Sequence, residues 1–330
     1  MVTTPVNAGA VLVQATGSES HVEHLAAHAT ARGFGLQGAA LWRGSAFVPT
    51  PDETRLYEAL GLSLIPPELR EGRGEIEAAL AGTLPRLIER RDLRGFLHSH
   101  TVYSDGSNTV EELALACRDA GYAYVGITDH SQTASYAGGL EPDDLLRQCD
   151  EIDAVNQRVE GIRVLKGVEA DILQDGRIDY EDHLLARLDF VIASVHSRFN
   201  MGEREMTARI LAAMDNPYLT IIGHPTGRLL LSREPYAVDL DAIIEKAAAT
   251  GVALEINADP HRLDLDWRVV RSARDRGAMI SIGADAHNIA GISNVEYGVG
   301  MARKGWLEPA DVLNTRSAEE FLEFARRRRE

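Results

Sequence analysis

The chain has 330 residues, 45% of them hydrophobic, and a formal net charge of -16. That length and apolar content suit one large domain, or one large and one small, and the acidity argues against a general polyanion binder, whose affinity comes from phosphate neutralisation. No stretch is long and apolar enough to span a bilayer, and the opening MVTTPVNAG lacks the basic and apolar regions of a signal peptide, so a cytoplasmic protein is expected.

Residues 1–91 read as a small mixed region ending in a linker. VLVQ reads as a short strand, Thr16-Gly17-Ser18 as a turn, and the following segment as a helix closed by Gly33. His21, His24 and His28 share one face of that helix. No carboxylate or cysteine accompanies them, so surface histidines are the simpler reading. LIPPELREGRGEIEAAL supplies a Pro-Pro turn and a charged, exposed segment. Cys117 and Cys149 fall on predicted helices without zinc or redox spacing and read as free thiols. The closing Arg326 to Arg329 run reads as a solvated helix end.

From Gly95 the pattern becomes regular. Apolar runs at 95–97, 124–128, 164–168, 190–195, 219–223, 252–256 and 279–283 alternate with helical segments, of which 109–120, 142–159, 239–250 and 265–276 each lead to a glycine stop. Seven strands alternating with helices predict an α/β domain over 92–330, its parallel strands closed or nearly closed into a barrel.

Six of the seven strands end on a residue able to bind metal. The first delivers His98 and His100, two apart and so on one face of a strand, followed by Asp105 in a Ser-Asp-Gly turn. The others deliver His130, Glu169, His196, His224, and Asp285 with His287. In parallel α/β folds this carboxyl-end rim is where sites form. Any one of these histidines can be a packed core residue, but six of the chain's 11 histidines recur at this position. Six histidines and three carboxylates without cysteine suit Mn²⁺, Zn²⁺ or Fe²⁺. Nine donors suggest two or three ions sharing a carboxylate.

Clustered divalent ions favour phosphoester hydrolysis by a metal-activated bridging hydroxide. Arg198 and Arg228, with Arg262 as a third choice, are candidates to grip the non-bridging phosphate oxygens; their plainer use is in surface salt bridges. Asp129 reads as a partner that orients an imidazole, and Asn257 as either a substrate contact or a turn cap.

The motifs HSH with SDG, TDH, GVE, SVH, GHP and DAH resemble the polymerase and histidinol phosphatase (PHP) family, with all nine positions of its metal set filled. Within it, GVEADIL, SVHSRF, GHPTGRLL and GADAH are similar to the PHP domain at the C-terminus of bacterial family X DNA polymerases, across 92–325. ATGSESHVEHLAAHATARGFGL and LIPPELREGRGEIEAAL resemble the thumb of the same polymerases; no stretch resembles their palm. The resemblance implies a distorted (βα)7 barrel with three ions. One would take His98, His100, Glu169 and Asp285; a second would share Glu169 and take His196 and His224; a third would take Asp105, His130 and His287.

The expected function is a metal-dependent phosphoesterase acting on phosphomono- or diesters. A 3′-5′ exonuclease or 3′-end processing activity leads, without polymerase activity and with little grip on long duplex DNA. Glu169 and Asp285 are its central carboxylates. The alternatives are a small-molecule phosphatase or phosphodi/triesterase, of the histidinol- or sugar-phosphate type, and a non-catalytic binding module.

Overall fold

The computed structural model describes residues 5–37 and 39–329, so the first four residues of the opening segment lie outside it. The chain divides into two compact units, Met1–Arg86 and Leu87–Glu330.

In the first unit α1 (Ala8–Thr16) and α2 (Glu19–Ala31) precede an antiparallel sheet of β1 (Gly35–Gln37), β2 (Ala40–Arg43) and β3 (Ala46–Val48). Two helices follow, α3 (Glu53–Ala59) and α4 (Glu75–Ala81). The expected VLVQ strand is helical. Its valines carry β propensity, but Gly9, Ala10 and Val13 are buried at helical spacing, and Gly9 N–H donates to the Thr50 carbonyl at 2.8 Å. His21 is buried rather than displayed. Its Nδ1 lies 2.6 Å from Glu75 Oε1 and its Nε2 3.1 Å from the Tyr57 hydroxyl, so both ring nitrogens have protein partners. Glu75, from the segment expected to be exposed, is fully buried with it.

The second unit runs β4 (Gly95–Ser99), α5 (Val110–Asp119), β5 (Tyr124–Ile127), α6 (Pro142–Arg158), β6 (Arg163–Lys166), β7 (Glu169–Asp171), α7 (Asp182–Leu185) and β8 (Ile192–Ser194). It continues with α8 (Glu203–Ala213), β9 (Ile221–Ile222), α9 (Leu240–Thr250), β10 (Ala253–Asn257), α10 (Trp267–Asp275), β11 (Ile280–Ala286), α11 (Val295–Lys304) and α12 (Ala318–Arg326). Every pairing among β4–β11 is parallel, in the order β6-β5-β4-β11-β10-β9-β8-β7.

The two ends of that order are neighbours in sequence: only Gly167 and Val168 separate β6 from β7. The sheet therefore curls until its ends meet. Glu169 N–H donates to Asp129 O and Ser131 N–H to Glu169 O, both at 3.1 Å, which links β7 to the continuation of β5. The expected third strand is thus one stave in two segments, and the barrel has seven staves. At the break Gly167 leaves room for Phe190, since a Cβ there would lie 2.6 Å from the Phe190 ring.

Alternation along the staves sorts their residues. Leu97, Tyr124, Leu165, Phe190, Ile192, Ile221 and Ala253 face inward and meet Phe321, Leu322 and Phe324 of α12, which plugs one end. Phe96, Val125, Val191, Ile222 and Leu254 face the helices. Of the run expected to be a solvated helix end, Arg326 and Arg327 are exposed, but Arg328 and Arg329 are half-buried. Arg328 donates to the carbonyls of Met214, Asn216 and Leu219, and Arg329 to those of Leu188 and Asp189. With one end closed by apolar packing, the barrel's polar residues gather at the other.

Candidate metal centre

The carboxyl ends of the staves carry the nine expected residues to one place. Glu169 is at its middle. Its Oε1 lies 2.8 Å from His224 Nε2 and 3.3 Å from Nε2 of both His98 and His196. Its Oε2 lies 3.1 Å from His130 Nδ1 and 3.6 Å from His100 Nε2. Asp285 Oδ1 is 3.1 Å from His100 Nε2, and Asp105 Oδ1 is 3.3 Å from His287 Nε2. His98, His100, Glu169 and His224 are fully buried, whereas Asp105 and His287 are 36% and 37% exposed, so the cluster opens on their side.

Regular strand geometry does not produce this convergence. His98 has φ 64, Asp285 φ 52 and His224 φ 25, conformations that non-glycine residues rarely adopt, and the β4–β11 register shifts between Gly283 and Ala286. Strain of this kind costs about 1–3 kcal/mol per residue and collects at functional sites.

Several atoms here have close charged or polar neighbours but no aligned hydrogen bond. Among the described residues His98 Nε2, His100 Nδ1, His130 Nδ1, His224 Nδ1 and Glu169 Oε2 are buried without a hydrogen bond. Buried polar atoms are nearly always paired, and a borderline divalent cation is the partner this imidazole and carboxylate set fits. Donor atoms fall within 4.8 Å of one another in three groups: His100, Asp105, His130 and His287; His98, His100 and Asp285; and His130, Glu169 and His196. His100 and His130 each belong to two groups, so these sets overlap where the partition implied by resemblance kept each histidine to one ion. His224 joins through Glu169 and through His196, whose Nε2 is 3.3 Å from its own.

Burial works against charge on Glu169 and Asp285, but neighbouring histidines outweigh it and hold both carboxyls well below the usual range. Burial likewise opposes charge on His98, where Glu255, Glu169 and Asp285 prevail and raise it well above its ordinary value. His196 and His287 rise to about 9 in the same way, against burial and under their carboxylate neighbours. His224 falls to about 4 through burial and the charge of Arg262. A cation entering the cluster therefore displaces protons.

A second set of residues holds the first in place. The sixth stave, which ends without a candidate ligand, contributes Glu255 from its middle: Oε1 lies 2.6 Å from His98 Nδ1, and Oε2 accepts His224 N–H at 2.7 Å. Gly283 makes the room, since a Cβ there would stand 1.8 Å from Glu255 Oε1. Asp171 Oδ1 holds His196 Nδ1 at 2.6 Å, and Asn257 donates to Asp285 Oδ2 at 3.0 Å. Asp129, expected to orient an imidazole, instead accepts from Thr101 N–H at 2.8 Å, Thr101 Oγ1 at 2.7 Å and Ser104 N–H at 3.1 Å. It fastens the turn that carries Asp105.

The three arginines separate. Arg262 Nε lies 3.4 Å from Asp285 Oδ2, and its buried Nη1 has no hydrogen bond among the described residues. Arg198 is exposed, with φ 58. Arg228 is engaged elsewhere: it donates to the carbonyls of Arg262 and Leu263 and pairs with Asp266 at 3.1 Å, bracing the segment that carries Arg262.

Residues 11–71 match the family model of the DNA polymerase beta thumb, and residues 97–259 that of the PHP domain. The chain is 46% identical over 277 residues, 84% of its own length, to the DNA polymerase/3′-5′ exonuclease PolX of Bacillus subtilis, of which it spans 48%. It is 28% identical over 243 residues to a probable phosphatase of Syntrophotalea carbinolica, covering 69% of this chain and 94% of that one. A solved histidinol phosphate phosphatase from Lactococcus lactis is a distant likeness, with a TM-score of 0.46 and 18% identity over 63% of this chain and 94% of that one. The chain thus carries a PHP domain, preceded by a segment of the DNA polymerase beta thumb type.

Proposed function

We propose that this metal-dependent phosphoesterase hydrolyses phosphodiesters at nucleic-acid 3′ ends. The observation that carries the reading is Glu169, one buried carboxylate with five imidazoles around its two oxygens. Divalent ions in such a set polarise a phosphoryl oxygen and bring the pKa of water towards neutrality. His98, His100, Asp105, His130, Glu169, His196, His224, Asp285 and His287 are the residues that would hold them.

The chain's own groups do the rest. Glu255 and Asp171 fix the tautomer and orientation of His98 and His196, so that each presents Nε2 to Glu169. Asp129 sets the turn of Asp105 at the open side. Arg262, with a buried donor free beside Asp285, takes a non-bridging phosphate oxygen, and Arg198 lies exposed beyond His196 as a further cation for an entering phosphate. The identity to the exonuclease-named relative supports a nucleic-acid end as substrate. A second reading, small phosphoesters, draws on the probable phosphatase, whose length this chain covers almost completely.

The test is a substrate panel on protein reconstituted with Mn²⁺ or Zn²⁺: a 5′-labelled single-stranded oligonucleotide, bis(p-nitrophenyl) phosphate, histidinol phosphate and a sugar phosphate. Stepwise shortening of the oligonucleotide from its 3′ end is expected. An intact oligonucleotide beside rapid release of phosphate from a small monoester would favour the second reading, and inertness towards all four would overturn both.

A further inference from the structure

Tyr136 stands beside the cluster without belonging to it. It occupies the turn Ser135–Ala137 between β5 and α6, and it is 69% exposed. Its ring centroid lies 6.3 Å from that of His130 and 6.4 Å from that of His196. Asp171, Glu169, Asp105 and Arg262 are all within electrostatic reach of its hydroxyl.

The segment that presents this ring is braced. Leu140 N–H donates to His130 O at 2.9 Å, closing the base of the loop. Thr133 donates to Asp179 Oδ2 through its N–H at 2.9 Å and its hydroxyl at 2.7 Å, and Gln132 donates to Asp179 Oδ1 at 3.1 Å. Gly139 passes so near Ser131 that a Cβ would meet the Ser131 carbonyl oxygen at 2.0 Å. An aromatic ring carried on a braced loop is thus left open to solvent at the edge of a polar mouth, where apolar exposure brings no stability. A planar group set back from the reacting phosphate by the width of a ribose would cover it, and a sugar phosphate has no such face.

We propose that Tyr136 is a stacking platform for the nucleobase of a nucleoside phosphoester whose phosphate is held at the cluster. The proposal rests on the phosphoesterase reading and names its substrate class. Base stacking on an aromatic side chain is tolerant of sequence and changes affinity by roughly 5- to 150-fold.

Binding and turnover are measured separately on the Mn²⁺-loaded chain. By calorimetry, thymidine 5′-phosphate should bind roughly 5- to 150-fold more tightly than deoxyribose 5-phosphate. Tyr136→Ala should make the two alike, and Tyr136→Phe should keep the difference. In turnover, Tyr136→Ala should raise KM for a thymidine dinucleotide and spare both its abasic analogue and bis(p-nitrophenyl) phosphate. Equal binding of the two monophosphates by the unmodified chain, or equal weakening of both by Tyr136→Ala, would overturn the platform. Base-dependent binding without hydrolysis of any ester would support the platform and remove the phosphoesterase reading; hydrolysis with base-blind KM would do the reverse.

Discussion

Glu255 Oε1 lies 2.6 Å from His98 Nδ1, and the other oxygen of the same carboxylate accepts the backbone N–H of His224. One buried side chain therefore sets two residues that meet Glu169 from different staves. Glu255→Gln keeps the shape but places an amide N–H₂ against either an imidazole N–H or a backbone N–H, leaving buried donors face to face. Such partners of metal-binding histidines are typically worth 10- to 100-fold in metal affinity or activity. Glu255→Gln should lower either by about that factor and also cost about 1–3 kcal/mol of stability for the buried donors left unpaired; an unchanged metal titration would show that His98 needs no such support.

Glu169→Ala removes the group around which five imidazoles converge. Elemental analysis of the reconstituted chain should find two or three divalent ions, with at least one fewer in the variant, and activity should fall to background. A single ion in the unmodified chain, or none, would contradict a clustered centre.

The candidate residues at the strand ends are legible because they sit where apolar runs stop, with Asp105 in the turn that follows the first, and the parallel α/β class follows from the alternation of strands and helices. Glu255 is harder to read, because it lies in the middle of the sixth strand and not at its end. The signal was present inside VALEI: a lone carboxylate alternating with Leu254 and Ile256 points to the opposite face, into the barrel. The bends at His98 and Asp285 were not legible, since no local propensity places either residue in a left-handed conformation. The same holds for contacts between distant segments, such as Glu75 meeting His21 or Arg228 reaching the carbonyls of 262 and 263.

The arginines divide between chemistry and support. Arg262→Ala removes a cation beside Asp285 and should lower kcat by about 100- to 1,000-fold, the range for losing one donor to developing charge. Arg262→Lys should recover only part, because an ammonium lacks the planar fork. Arg228→Ala breaks hydrogen bonds to two carbonyls and Asp266, and should destabilise the chain by about 1–3 kcal/mol with a smaller effect on kcat. Equal kinetic losses without any change in unfolding would place Arg228 on the substrate instead.

Asp264 gives the fold a pH dependence separate from the metal cluster. It is fully buried; Oδ2 accepts Thr226 N–H at 2.9 Å, while Oδ1 has no hydrogen bond among the described residues. Burial raises its carboxyl from 3.8 to about 6, against the opposing bonds from Thr226 and the charges of Arg228 and Arg262. The folded value lies above the unfolded one, so the folded chain binds the proton more tightly. The resulting stability is present in full below pH 3.8 and is lost as pH rises through 6. Across that window the loss is about 3 kcal/mol, at 1.36 kcal/mol for each pH unit of displacement. Asp264→Asn cannot ionise and does not suffer the loss. Its new N–H₂ next to the unpaired position adds a cost that does not vary with pH, so the informative quantity is the slope of the difference between the two proteins. Denaturant unfolding at pH 4.5, 6 and 8 should show the variant gaining on the parent by about 2 kcal/mol from the lowest to the highest pH. A difference that stays flat across the series would mean that Asp264 ionises inside the fold as readily as in water.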